Sequence, residues 1–163
     1  MKIKGAVLVT SDRVSRGERE DESGEIAREL LGQIAEVVEK KVVPDQAERI
    51  REALLAWCER GIDVVITIGG TGLSPSDMTA QVTHSLIEKE ARGISTALLV
   101  RGLADTPQAM LSSAEAGVRG HTLIVNLPGS KSAVRDSIEY LRDMLPHAIE
   151  MMWGGGHETP AEA

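Results

Sequence analysis

Three short runs of β-branched and aliphatic residues constrain this chain more than anything else in it. They are residues 5–10 (Gly-Ala-Val-Leu-Val-Thr), 63–68 (Asp-Val-Val-Ile-Thr-Ile) and 122–126 (Thr-Leu-Ile-Val-Asn). Each is too short for a buried helix, and each ends in polar or glycine-bearing sequence. Such runs read as parallel strands covered on both faces. Residues 36–43 alternate less cleanly and read as an outer strand.

Helical spacing fills the intervals. Ile26, Leu30 and Ile34 recur every fourth residue after Ser23, a candidate cap. Asp45-Gln46-Ala47-Glu48 has the form of a capping box, followed by Ile50, Ala53, Leu54 and Trp57, with Gly61 as the stop. Residues 79–90, 94–103, 109–118 and 132–145 also read as helices, the last ended or kinked by Pro146. Strands alternating with helices predict a three-layer α/β/α fold around a mainly parallel, mixed sheet. With 163 residues the chain suits one core. The expected layout is a single α/β domain over residues 1–153 and a flexible tail over 154–163.

Composition excludes several functions. Aromatic residues make up 2% of the chain, so no base-stacking platform is expected. Eighteen basic against twenty-five acidic residues give a net charge of −7, which is no footprint for nucleic acid. The single cysteine, Cys58, excludes a disulfide framework and multi-cysteine metal sites. His84, His121, His147 and His157 show no metal-ligand spacing and read as surface or packing residues. No apolar run approaches the roughly 20 residues of a membrane span, and the N-terminus has no signal-peptide pattern. A cytoplasmic protein with no membrane attachment is expected.

In α/β sheets ligands bind beyond the carboxyl ends of the strands, so the loops that follow the strands are the candidates. Gly69-Gly70-Thr71-Gly72-Leu73-Ser74-Pro75-Ser76-Asp77-Met78-Thr79 joins a strand to a helix. Its glycines let backbone amides approach an anion, and the Thr71 hydroxyl adds a donor. The plain alternative is a tight turn with Asp77 or Thr79 as helix cap. The long loop 10–24 brings Ser11, Asp12 and Ser23 where a polar ligand is gripped, while its charge run at 16–22 reads as solvated. Asn126-Leu127-Pro128-Gly129-Ser130-Lys131-Ser132 supplies amides and one positive charge at a helix start, or merely a turn capped by Ser130 or Ser132. Asp45 is a helix cap unless folding sets it beside Asp77, where two carboxylates would hold Mg²⁺.

Taken together, these loops resemble the molybdenum-cofactor biosynthesis family that includes MogA and MoaB. The likeness rests on Thr10-Ser11-Asp12 with residues 17–24, Val43-Pro44-Asp45, the loop 69–79, Thr106-Pro107-Gln108-Ala109-Met110-Leu111-Ser112, and residues 123–130. The resemblance implies a molybdopterin-binding fold that assembles as a trimer or a hexamer. It implies transfer of AMP from ATP to the terminal phosphate of molybdopterin, releasing pyrophosphate, with Mg²⁺. It assigns Asp45 and Asp77 as catalytic and metal-binding. It gives Ser11, Asp12, Ser23, Gly69, Gly70, Thr71, Gly72, Ser112, Pro128, Gly129, Ser130 and Lys131 as substrate-binding. Three positions depart from the family pattern: Ser76 and Ser113 stand where arginine is frequent, and Lys131-Ser132 where Pro-Lys is frequent. Each departure removes or moves positive charge. Two further possibilities therefore stay open: a non-catalytic molybdopterin carrier or assembly protein of the same pathway, and a plain α/β domain whose loops only join subunits.

Overall fold

The structure is a computed structural model and describes residues 2–155. Most of the tail, with His157, lies outside the described residues. Four strands run parallel: β1 (Lys4–Thr10), β2 (Glu36–Val43), β3 (Val64–Ile68) and β6 (Thr122–Leu127). Two short strands, β4 (Lys89–Glu90) and β5 (Ala116–Arg119), add an antiparallel flank. The order across the sheet is β2-β1-β3-β6-β5-β4, so β2 is an outer strand as its pattern predicts.

Alternation along the strands divides the core into two layers. Val7, Val9, Ile66, Ile68, Val125 and Leu127 face one layer, with Ala27, Leu30 and Leu31 of α2 (Glu22–Leu31) and Val134 and Ile138 of α6 (Lys131–Leu141). Ala6, Leu8, Val65 and Ile124 face the other, against Ile50, Leu54 and Trp57 of α3 (Ala47–Glu59) and Val82 and Leu86 of α4 (Thr79–Leu86). A four-residue α1 (Asp12–Ser15) follows β1, and α5 (Arg92–Asp105) and α7 (Met144–Met152) complete the helices.

Several predicted elements are corrected. Residues 109–118 are not a helix. A 3-10 turn at Pro107–Leu111 gives way to extended backbone, where Ser112 Oγ accepts from the Ala114 amide at 3.2 Å, and then to β5. Gly120, with φ +58, turns β5 back into β6, a hairpin signal that the helical reading overrides. The helix predicted over 79–90 stops at Leu86, because the Glu88 amide donates to the Val118 carbonyl and β4 begins. The segment 132–145 breaks at Arg142–Asp143, and Pro146 sits inside the first turn of α7, where a missing N–H costs nothing. The cap of α2 is Asp21, whose carboxylate accepts from the Gly24 amide at 2.9 Å, and not Ser23. The cap of α3 is Gln46, without a side-chain bond, and not Asp45. Gly61, at φ +72, stops α3 as predicted.

One buried polar cluster ties β3, β6, α4 and the segment before β5. Asn126, 1% exposed, donates from Nδ2 to Thr67 Oγ1 at 2.8 Å and Thr83 Oγ1 at 3.0 Å, and its Oδ1 accepts from the Glu115 amide at 3.1 Å. Truncating it orphans a buried amide and leaves a cavity. The substitution Asn126→Ala is expected to cost about 2–4 kcal/mol of unfolding free energy in urea titrations. A loss under about 0.5 kcal/mol would refute the assigned role.

Candidate functional site

The loops after β1, β3 and β6 meet at one end of the sheet. Gly69 (φ +91) and Gly70 (φ +67) occupy the left-handed region. A Cβ on Gly69 would stand 2.6 Å from the Thr10 carbonyl oxygen, and one on Gly70 would stand 2.1 Å from Thr79 Oγ1. Glycine is therefore required at both positions by space as well as by backbone angle. The Gly69 amide donates to the Leu127 carbonyl at 3.0 Å, fixing the loop to the end of β6. Thr10 and Thr79 share a hydroxyl hydrogen bond of 3.0 Å beneath the loop. Among the described residues, the amides of Gly70, Thr71 and Gly72 donate to no protein acceptor. Unspent backbone donors in succession are the kind of group that binds an anion. Thr71 is buried, and its carbonyl accepts from the Ser113 amide at 2.7 Å and the Ser113 hydroxyl at 2.9 Å.

Asp12 and Asp45 clasp each other: the Asp12 amide donates to Asp45 Oδ2 at 3.2 Å and the Asp45 amide to Asp12 Oδ1 at 2.9 Å. This clasp explains why Asp45 does not cap α3. Asp77 Oδ2 accepts from the Ser74 amide at 3.0 Å and the Ser74 hydroxyl at 2.7 Å, and it lies behind Gly72. Burial pushes the Asp45 carboxyl above its usual range. The Asp12 amide pulls against that shift, while repulsion from Asp12 and Asp77 adds to it. The structure brings the three carboxylates into one neighbourhood, but one oxygen from each does not come within 4.8 Å of the other two.

Two cavities flank the glycine loop. The smaller, about 140 Å³, is lined by Thr10, Ser11, Ser23, Gly69 and Gly129 together with Arg19 and three acids, Glu20, Asp21 and Glu22. The larger, about 460 Å³, is lined by Thr71, Gly72, Ser112, Pro128 and Ser130 together with one side of α5. Asp12, Asp45, Asp77, Gly70 and Lys131 line neither cavity. Ser11 Oγ caps α1 by accepting from the Val14 amide at 3.2 Å, and Ser23 Oγ donates to the Gly129 carbonyl at 2.7 Å. Ser130 caps α6, accepting from the Ala133 amide at 3.3 Å, so the start of α6 points at the larger cavity. Lys131 pairs with Glu22 at 2.9 Å and is not the free cation its sequence context suggests. Sequence reasoning misses Arg19, which stands within a charge run that reads as solvated. It also misses Lys40, which lies between Asp21 and Glu25 and anchors the long loop to β2.

Fold and loops define a class. The chain matches the family described as "Probable molybdopterin binding domain" over residues 6–147, and it belongs to that family. The crystal structure of the molybdopterin biosynthesis enzyme MoaB from Thermus thermophilus superposes with a TM-score of 0.87 at 41% identity, covering 93% of this chain and 97% of that one. The molybdopterin adenylyltransferase of Pyrococcus furiosus is 34% identical over 153 residues, 91% of this chain and 90% of that protein. Gephyrin of Dictyostelium discoideum is 38% identical over 157 residues, 90% of this chain but 22% of that protein. The chain thus spans half or less of the length of several longer relatives.

The Asp45 carboxyl, raised first by burial and further by its acidic neighbours, gives a pH-dependent prediction. An acid whose folded value is raised opposes folding wherever it is ionised in both states. That cost is present in full above the raised value and vanishes as pH falls through it to below about 3.9, the ordinary aspartate value. Asp45→Asn removes the charge yet keeps an acceptor for the Asp12 amide. The variant is expected to be more stable than the parent at pH 7 in urea titrations, and its advantage is expected to vanish under acid conditions. Equal stability at pH 7 would contradict the electrostatic account.

Proposed function

We propose that the chain is a molybdopterin adenylyltransferase. It binds molybdopterin and ATP, and an oxygen of the pterin's terminal phosphate attacks the α-phosphorus of ATP. A new P–O bond forms as the bond from the α-phosphorus to the bridging oxygen breaks, and pyrophosphate leaves with that electron pair. The observation that carries this reading is the row of unspent amides at Gly70–Gly72, set between two cavities and beside Asp77. The larger cavity has room for a pterin, whose phosphate then meets the start of α6 at Ser130, where amides and helix dipole favour an anion. The smaller cavity takes the phosphate end of ATP, with Arg19 at its wall offsetting the negative charge of Glu20, Asp21 and Glu22.

No general base is required, because the nucleophile is already an anionic oxygen. The obstacle is repulsion between two phosphates, and the chain lowers it by alignment and by fixed dipoles aimed at the reacting groups. The donor set of Asp45 and Asp77, with Asp12 adjacent, suits Mg²⁺, which prefers oxygen and commonly uses one or two carboxylates plus substrate phosphates. Bound there, Mg²⁺ supplies the positive charge that this acidic chain otherwise lacks. The reading places the reaction in the cytoplasm, between other proteins of the molybdenum-cofactor pathway.

A carrier reading has one observation in its favour. Ser76 bonds to Ser74 at 3.0 Å and Ser113 to the Thr71 carbonyl, so neither position offers the cation frequent in the family. Pyrophosphate release separates the two. Incubation with molybdopterin, ATP and Mg²⁺ is expected to release one pyrophosphate per pterin adenylylated, and Asp77→Asn is expected to cut that rate at least 100-fold, on the order of what charge-stabilising groups contribute. Tight pterin binding without pyrophosphate would establish the carrier, and near-normal turnover in Asp77→Asn would remove that residue from the mechanism.

We also infer a homo-oligomer, a trimer or a hexamer. Helix α5 buries none of its fourteen residues, and Leu99, Val100, Leu103, Met110 and Leu111 stand exposed along it and the following turn. An apolar surface of this extent fits a subunit contact. Light scattering after size exclusion is expected to give three or six chains for the parent and one for Val100→Glu. A monomeric parent at micromolar concentration would overturn the inference.

A further inference from the structure

A second cluster of ligating groups joins α4 to the antiparallel flank and shares no residue with the glycine loop. His84 near the end of α4, Glu90 of β4 and Glu115 just before β5 bring one ligand atom each within 4.8 Å of one another. His84 Nδ1 faces Glu115 Oε1 at 3.3 Å. The three residues come from three separate elements, which is why the spacing of histidines along the sequence gives no sign of the cluster.

Each ligand is held by backbone that the core fixes. Glu115 is bonded on both sides by Asn126: its amide donates to Asn126 Oδ1 at 3.1 Å, and its carbonyl accepts from the Asn126 amide at 2.9 Å. Thr83, the neighbour of His84, accepts from Asn126 Nδ2 at 3.0 Å. Glu90 pairs with Gly117 in the β4–β5 ladder, and the Ala91 amide donates to the Ala116 carbonyl at 2.8 Å. The backbone that carries the three side chains is thus fixed before any ligand arrives, which lowers part of the ordering cost of binding. Arg92 holds Glu90 through Oε2.

We propose that His84, Glu90 and Glu115 form a surface site for a divalent transition-metal cation such as Zn²⁺. One imidazole and two carboxylates are a borderline donor set, suited to zinc or manganese and distinct from the all-oxygen environment at Asp45 and Asp77. Three protein ligands leave coordination positions for water or a further group. A cation here clamps the end of α4 to the segment that runs from Ser112 to Glu115. That segment holds the glycine loop through Ser113 and the Thr71 carbonyl. The site therefore braces two supports of the glycine loop without touching a substrate.

The test uses Zn²⁺ as the probe, by calorimetry on the full chain in saturating Mg²⁺, which keeps the aspartate cluster occupied. One Zn²⁺ per chain is expected to bind, with affinity at least tenfold weaker in His84→Ala and Glu115→Gln. Zn²⁺ at 100 times its Kd is expected to raise the melting temperature of the parent by roughly 5–10 °C, and of His84→Ala by much less. AMP transfer in Mg²⁺ alone is expected to stay within twofold of the parent in His84→Ala. Unchanged Zn²⁺ affinity in both variants, or no saturable binding in the parent, would overturn the proposal.

Discussion

The close approach of the glycine loop to the end of β1 is the constraint on which the rest of this end of the sheet depends. Gly69 and Gly70 place their backbone where any side chain would collide with Thr10 or Thr79. The strand and the helix it leads into are consequently drawn together, and the Thr10–Thr79 hydroxyl bond fills the space beneath. Among the described residues, no carbonyl turns to meet the amides that follow. The carbonyls of Gly70–Gly72 are taken by Thr79 and Ser113, and the packing that fixes them leaves the three N–H groups without protein acceptors among the described residues. A ligand anion meets donors that need not reorganise.

A chain of net charge −7 is an unpromising partner for phosphates, and the structure shows how the difficulty is localised. Lysines and arginines near the site are largely committed to nearby carboxylates: Lys131 to Glu22, Arg16 to Glu18, Lys40 to Asp21 and Glu25. Besides Arg19 at the wall of the smaller cavity, what remains for an anion is dipolar: the loop amides and the start of α6. The three aspartates sit to one side of those dipoles. Burial first, and then repulsion from Asp12 and Asp77, raise the Asp45 carboxyl, and a cation would relieve both. Dipoles for the anion and carboxylates for the cation divide the work over a short distance.

The strands on which these loops hang are legible in the sequence because a β-branched run of five or six residues, bounded by polar or glycine positions, fits little besides a strand buried on both faces. The pattern marks β2 at its observed bounds, and β1, β3 and β6 to within a residue at each end. The antiparallel flank is not legible. β4 is two residues long and β5 four, too short for alternation to show, and the alanines and leucines around them mimic a helical face. The gathering of Asp12, Asp45 and Asp77 rests, at the level of sequence, on likeness to a family. Asp45 has the local sequence of a helix cap, and only the fold, by setting β1 and β2 side by side, gives its carboxylate a stronger partner in the Asp12 amide. The cavities, and Arg19 at the wall of one, depend on loop conformations that no periodicity encodes.

Lys40 carries a consequence of a different kind. It reaches from β2 into the long loop, and its charge is shared by two acids. Burial works against its ionisation, but the bonds to Asp21 and Glu25 prevail and hold its pKa above the ordinary lysine value. Asp21 is also the residue that starts α2. Ionic strength therefore acts on this molecule unevenly. Added electrolyte leaves the aliphatic layers as they are, yet it loosens the tether that sets where the second helix begins and how wide the smaller cavity stands. Occupancy of the two cavities should part company as the buffer becomes more concentrated, although both are built on the same three strands.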